Sequence, residues 1–264
     1  MASVLPLLYT VPVKIRVIPR LDIKGPNIVK GVRMEGLRVV GSPAMLARTY
    51  YEQGADELLA LDIVASLYGR SLDLDIIRSI AQEVFIPLTV GGGIQSLHDI
   101  SHVLRAGADK VALNTFALRN PAFLQEAVRE FGSQCIVLSV EAKRRGEGWE
   151  AYTEGGREHS GRDVVEWVKE ALGLGVGEIL LTSVDRDGTK TGYDVDLLRT
   201  IASFATVPVI AHGGARDAAS LADAVVAGAD AVSLSWILHF KECTIPQLKE
   251  GLAERSLSVR RSSP

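Results

Sequence analysis

The second half of this chain repeats the first. Residues Gly107 to Thr115 (Gly-Ala-Asp-Lys-Val-Ala-Leu-Asn-Thr) return as Gly228 to Trp236 (Gly-Ala-Asp-Ala-Val-Ser-Leu-Ser-Trp), 121 positions later. At the same offset Ile86-Pro87 with Gly92 and Gly93 returns as Val207-Pro208 with Gly213 and Gly214, and Gly54 with Glu57-Leu58-Leu59 returns as Gly175 with Glu178-Ile179-Leu180. Such a period is too long for a solenoid unit. It fits a duplicated half-domain of several strand–helix units. Each copy carries its own Gly-Gly turn and its own Gly-Ala-Asp strand, so two related anion sites are expected to face each other.

The chain has 264 residues, enough for one large α/β barrel or two small domains. The halves are homologous and no Pro/Gly/Ser-rich spacer separates them, which favours one closed domain over residues 14–254, with half-barrels at about 14–120 and 121–254. An apolar content of 47% supports a large core. The net charge of −3, with Lys and Arg scattered, offers no field for nucleic acid. Two distant cysteines, Cys135 and Cys243, fit a reducing cytosol, with Cys135 read as a core residue. The apolar start, Met1 to Val13, has no basic residue before Lys14 and is too short to span a bilayer. It is expected to be an extension packed on or near the barrel, or disordered, and Arg255 to Pro264 a frayed polar tail.

Short apolar runs alternate with helical patterns. Expected strands are Ile15–Asp22, Glu57–Asp62, Pro87–Val90, Lys110–Asn114, Cys135–Glu141, Glu178–Val184, Pro208–Ala211 and Ala231–Ser235. Expected helices include Pro43–Gln53, Leu72–Val84, Leu97–Ala106, Pro121–Phe131, Gly161–Leu174, Val195–Phe204 and Ala218–Val226. This alternation predicts a parallel sheet closed into a (β/α)8 TIM barrel. An open doubly wound sheet is the rival, but four plus four units close naturally. In such barrels the chemistry sits at the C-terminal ends of the strands. Asp22, Asp62, Asn114, Glu141, Ser183, Asp185 and Asp187 fall there, while Arg16, Glu57, Lys110 and Glu178 fall at the opposite ends.

The turn Gly91-Gly92-Gly93, with Asn114 and Thr115, can cradle a phosphate, because glycines let backbone N–H groups approach an anion. The same glycines also serve plain strand-to-helix turns. Gly213 and Gly214, with Ser235 and Trp236, are the duplicate, where Trp236 is bulky. Asp22 and Glu141 face across the mouth and can divide acid and base roles. The competing reading pairs them with Lys24 and Lys143. Asp187-Gly188, in the polar loop after strand six, can turn an N–H toward a second phosphate, or simply form a solvated loop. Lys24 to Gly41, with Lys30, Arg33 and Arg38, reads either as a lid or as an ordinary mobile loop. Arg16, Glu57, Lys110 and Glu178 alternate in sign. They can plug the barrel floor as a salt-bridged set, although by themselves they favour ordinary polar capping.

These residues identify a family. The chain resembles the cyclase subunit of imidazole glycerol phosphate synthase, from about Lys14 to Leu252. The likeness rests on Leu21-Asp-Ile-Lys24 with Val29-Lys-Gly31, Leu61-Asp-Ile63 with Ala65-Ser66, Thr89-Val-Gly-Gly-Gly-Ile94, Lys110-Val111 with Asn114-Thr115, Phe131-Gly-Ser-Gln134, and Gly177-Glu-Ile-Leu-Leu-Thr182 with Asp185-Arg-Asp-Gly-Thr-Lys190.

The resemblance implies a duplicated barrel with no metal or organic cofactor. It implies a bisphosphate substrate, the phosphoribulosylformimino-aminoimidazole carboxamide ribonucleotide. Ammonia from a glutaminase subunit, docked on the N-terminal face, would pass up the barrel, and the substrate would be cleaved and cyclised. Asp22 and Glu141 map to the catalytic pair, Arg16, Glu57, Lys110 and Glu178 to a charged ammonia gate, which overturns the capping reading. Gly92, Gly93, Asn114 and Thr115 map to one phosphate, and Asp187, Gly188, Gly213, Gly214, Ser235 and Trp236 to the other. Lys30, Asp62 and Ser183 line the substrate region.

Four departures stand out. The family has Asp at Glu141 and Asp-Gly-Arg at Gly25-Pro26-Asn27. It has Ser or another small residue at His212, and Ser at Trp236. The gate therefore matches better than the mouth. A paralogue that hands ammonia to a separate amidotransferase, making an acetamidino sugar for surface polysaccharide, is the alternative. The related phosphoribosyl isomerase shares the duplicated barrel but needs no glutaminase and no gate.

Overall fold

The computed structural model describes residues 14–260. The start Met1–Val13 and the last four residues of the expected tail lie outside them.

The strands, in chain order, are β1 (Arg16–Lys24), β2 (Asn27–Val32), β3 (Glu35–Gly41), β4 (Leu58–Asp62), β5 (Leu88–Gly91), β6 (Lys110–Leu113), β7 (Ile136–Arg145), β8 (Gly148–Thr153), β9 (Glu158–Asp163), β10 (Glu178–Ser183), β11 (Val209–His212) and β12 (Ala231–Leu234). Eight of them form a closed parallel ring, β1-β4-β5-β6-β7-β10-β11-β12, with β12 pairing back to β1. The expected (β/α)8 barrel is what forms.

The duplication is visible atom by atom. Asp109 accepts from the backbone N–H of Leu88 at 2.8 Å, and Asp230 accepts from that of Val209 at 2.8 Å. The aspartate of each Gly-Ala-Asp motif therefore fastens the start of the preceding strand. Gly107 and Gly228 hold φ of +115° and +110°, and a Cβ on either would strike Ala81 or Ala202, themselves 121 apart. Only glycine fits that approach of strand and helix.

Two hairpins were not expected. Lys24 to Gly41 is not an irregular loop. It is the antiparallel pair β2–β3, continued from β1. The fifth barrel strand outruns Glu141 to Arg145 and turns back through β8 and β9. The helix read from Gly161 therefore starts at Val164, where the Asp163 carboxylate caps the N–H groups of Val165 and Glu166. A last helix, Ile245–Glu254, follows β12 with a Thr244–Gln247 capping box. The segment after it is not free from Arg255 onward. Ser258 O accepts from Ile15 N at 2.7 Å, and Val259 bridges Ile15. Cys135, expected in the core, is half-buried at the foot of β7.

Burial sorts into two shells. One lies between strands and helices, and each large aliphatic side chain there contributes about 1.5–3 kcal/mol. The other fills the barrel, where Ile18, Leu59, Val137, Leu180, Ile210 and Ala231 pack together. Side chains alternate along a strand. The inward residues of β1 are accordingly Arg16, Ile18, Arg20 and Asp22: a charged floor, an aliphatic layer, then a polar mouth.

Candidate functional site

The first half-site is open. Gly92 and Gly93 take φ of +102° and +69°, and a Cβ on them would strike the Asp62 and Arg70 carbonyls. Asn114 and Thr115 lead into a short helix, Thr115–Arg119. These residues, with Arg20, Asp62, Ser139, Glu141 and Arg119, line a cavity of about 330 Å³. Asp62 is anchored by Arg70 at 2.7 Å and accepts from Val64 N at 3.1 Å. Arg119 pairs with Glu154 at 2.8 Å.

The second half-site is shut. Asp187, Gly188, Gly213, Gly214, Ser235 and Trp236 do come together, but the space left between them and His212 is about 10 Å³, room for about one water. The backbone still matches its duplicate, with φ of +97° and +103° at Gly213 and Gly214. The closure comes from side chains, since His212 and Trp236 stand among the lining residues. Ser183 is buried below, its hydroxyl without a partner among the described residues.

Between the half-sites lies a buried charge network. Asp22 takes Arg20 Nε at 2.7 Å and Lys30 Nζ at 2.9 Å. Lys24, the partner offered by the sequence, plays no part in it. Lys30 also lies 2.9 Å from both Asp187 oxygens. Arg20 Nη1 donates to Thr182 Oγ1 at 3.2 Å and to His212 Nδ1 at 3.1 Å. Burial and the cations Arg20 and Lys30 hold the His212 imidazole well below its usual pKa, so it is neutral and Nδ1 is free to accept.

The two mouth carboxylates are pushed apart. Burial alone would raise Asp22, but Arg20 and Lys30 overcome it and hold the carboxyl below the usual range. Burial raises Glu141, and the opposing pull of Arg20 and the Gly156 N–H does not cancel it. Among the described residues Glu141 forms no ion pair. It accepts from Asn114 Nδ2 at 2.9 Å and from Gly156 N at 2.8 Å. Lys143, its suggested partner, lies instead over the Tyr152 ring, 4.4 Å from the centroid. Such a split favours the protonated form at Glu141 and the anion at Asp22, the arrangement that lets two carboxyls take different roles.

The loops over the mouth are strapped down. Arg33 N donates to Asp187 O at 2.8 Å, and Arg157 Nη2 to Met34 O at 3.1 Å. A Cβ on Gly188 would strike the Gly31 carbonyl.

At the opposite end Arg16 bridges Glu57 at 2.8 Å and Glu178 at 2.7 Å, while Lys110 bridges the same pair at 3.1 and 2.8 Å. The quartet is a closed ring across the floor rather than four separate caps.

Sequence reasoning missed Arg20, Gly156 and Arg119. Arg20 sits in the apolar strand Val17-Ile18-Pro19-Arg20-Leu21, and its charge at that place was the one available signal. Gly156 belongs to the unforeseen β8–β9 turn.

Fold and site together define a duplicated (β/α)8 barrel with paired glycine-turn half-sites and two unlike carboxylates at its mouth. A model of the family described as histidine biosynthesis protein matches residues 16–244. The imidazole glycerol phosphate synthase subunit HisF of Mycobacterium tuberculosis strain ATCC 25177 / H37Ra is 51% identical over 253 residues, 93% of this chain and 95% of the relative. The subunit of the same name from Legionella pneumophila is 56% identical over 201 residues, 76% of this chain and 95% of the relative. The chain belongs to the histidine biosynthesis protein family.

Proposed function

We propose that the chain is the cyclase subunit of an imidazole glycerol phosphate synthase-type enzyme, acting through the barrel 14–254 in the cytosol. The observation that carries this is the pair of unlike carboxylates: Glu141 lines the open glycine-lined cavity with its pKa raised by burial, while Asp22 is buried against Arg20 and Lys30 and held below the usual range.

The chemistry follows from that split. Ammonia adding to an electrophilic carbon must shed a proton, and the departing ribonucleotide must gain one. Glu141 can do both in turn, because burial raises its carboxyl toward the range in which it can take up a proton and give it back. Asp22 is saturated by two cations, and its part is to fix charge at the mouth. Gly92, Gly93, Asn114 and Thr115 hold one phosphate of the substrate. The second phosphate falls to Asp187, Gly188, Gly214 and Ser235 once Trp236 and His212 give way. A glutaminase on the N-terminal face supplies ammonia, which enters past Arg16, Glu57, Lys110 and Glu178. Neutral ammonia crosses the aliphatic layer above them without the desolvation that stops ions. Ammonium-dependent turnover of Glu141→Gln should fall about 100-fold or more; an unchanged rate removes Glu141 from the chemistry.

The shut second half-site favours one other reading, in which the intact floor delivers ammonia to a separate amidotransferase protein. Binding of a third protein, with no cyclase turnover, would establish that reading.

A further inference from the structure

Arg20 is 1% exposed. Its Nε serves Asp22, and its Nη1 serves Thr182 and His212. Its Nη2 has no hydrogen-bond partner among the described residues. A buried, charged donor left unpaired is costly and demands an explanation. The same side chain lines the 330 Å³ cavity that holds the first half-site.

The charges around Arg20 set the kind of atom that suits Nη2. Arg20 and Lys30 bring two positive charges, Asp22 and Asp187 two negative, and the sum is zero. Glu141, close enough to act on Arg20, adds a further negative charge whenever it ionises. A second anion at Arg20 would add to the negative charge that Asp22, Asp187 and an ionised Glu141 already place around it. A neutral oxygen accepts the hydrogen bond with no such conflict.

We propose that Arg20 is a ligand-binding residue whose Nη2 donates to a neutral oxygen (carbonyl, amide or sugar) of a phosphate ester seated on the Gly92, Gly93, Asn114 and Thr115 half-site. This rests on the phosphate reading of that half-site. Arg20 thereby selects what stands next to the phosphate-bearing end of the ligand.

Calorimetric titration of the whole protein with inorganic phosphate, glucose phosphate and phosphogluconate tests it. Glucose phosphate, with a neutral far end, should bind about tenfold tighter than inorganic phosphate, or about 1.4 kcal/mol. Phosphogluconate, ending in a carboxylate, should gain less. In Arg20→Met the gain should vanish while inorganic phosphate still binds. A gain that survives in Arg20→Met, or a larger gain for phosphogluconate, overturns the proposal and leaves the phosphate half-site standing. No binding of inorganic phosphate would overturn both. A crystal structure of the unaltered protein with glucose phosphate needs no variant. A sugar oxygen within hydrogen-bond distance of Nη2 supports the assignment, and a bound ligand with Nη2 still unpartnered refutes it.

Discussion

Lys30 Nζ stands 2.9 Å from both carboxylate oxygens of Asp187, a residue 157 positions further along the chain. That contact pins the first hairpin to the loop after the sixth barrel strand, and Asp22 completes it from below. Lys30→Met would leave two buried carboxylates short of a cation. Removing one partner of a buried pair costs about 3–5 kcal/mol. Denaturant unfolding should show that loss, and a loss below about 1 kcal/mol would mean that the hairpin is held by other contacts.

Asp22 links stability to pH. Its folded pKa lies below its unfolded value, so its contribution is present above about pH 4 and fades as pH falls through the folded value. Asp22→Asn should lower stability at neutral pH and flatten the acid limb of the stability profile. Parallel acid limbs in the two proteins would rule out Asp22 as a source of that dependence.

Glu141 acts in the opposite sense. Its folded pKa is raised, so the folded state gains from a protonated Glu141 at low pH and is strained as pH rises. Glu141→Gln should therefore unfold at higher denaturant at neutral pH while losing turnover. Glu141→Asp restores the side chain usual in the family and shortens the reach by one methylene. A misplacement of that size can cost about 100-fold, so the substitution should raise cyclase turnover measurably. No change would count against Glu141 as the working acid and base.

The floor ring makes a separate prediction. Lys110→Ala removes one bridge between Glu57 and Glu178 and leaves Arg16 to hold both. Glutamine-driven activity with the glutaminase should drop several-fold, while activity with added ammonium stays. Equal loss of both would show that the ring supports the barrel rather than the passage of ammonia.

Trp236→Ser should open the second half-site, where about 10 Å³ now remains. Affinity for a bisphosphate ligand should rise about tenfold, as for one added charge-assisted hydrogen bond. An unchanged affinity would show that tryptophan is tolerated there or that His212 is the true obstruction.

Much of this was legible in the sequence because duplication writes the same constraint twice. Asp109 and Asp230, or Gly92 and Gly213, could be read together, while charges at strand starts located the floor quartet and only the family resemblance turned it from capping into a linked set. The hairpins were not legible, because Lys143-Arg-Arg145 looks like a strand ending in solvent and Glu158 to Asp163 has no apolar alternation. Antiparallel pairing with Glu150 to Thr153 decides that segment. Arg20 escaped for another reason. Its partners Thr182 and His212, 162 and 192 positions away, reach it only when the barrel closes. The shut state of the second half-site depends on side-chain volume, which a motif does not show.

The central claim is most directly tested by cyclase turnover with the authentic bisphosphate substrate and excess ammonium salt at alkaline pH, without a glutaminase. Turnover that falls sharply in Glu141→Gln is the expected result. Folded protein that binds a glutaminase yet leaves the substrate untouched would contradict it and identify a barrel that passes ammonia to another acceptor.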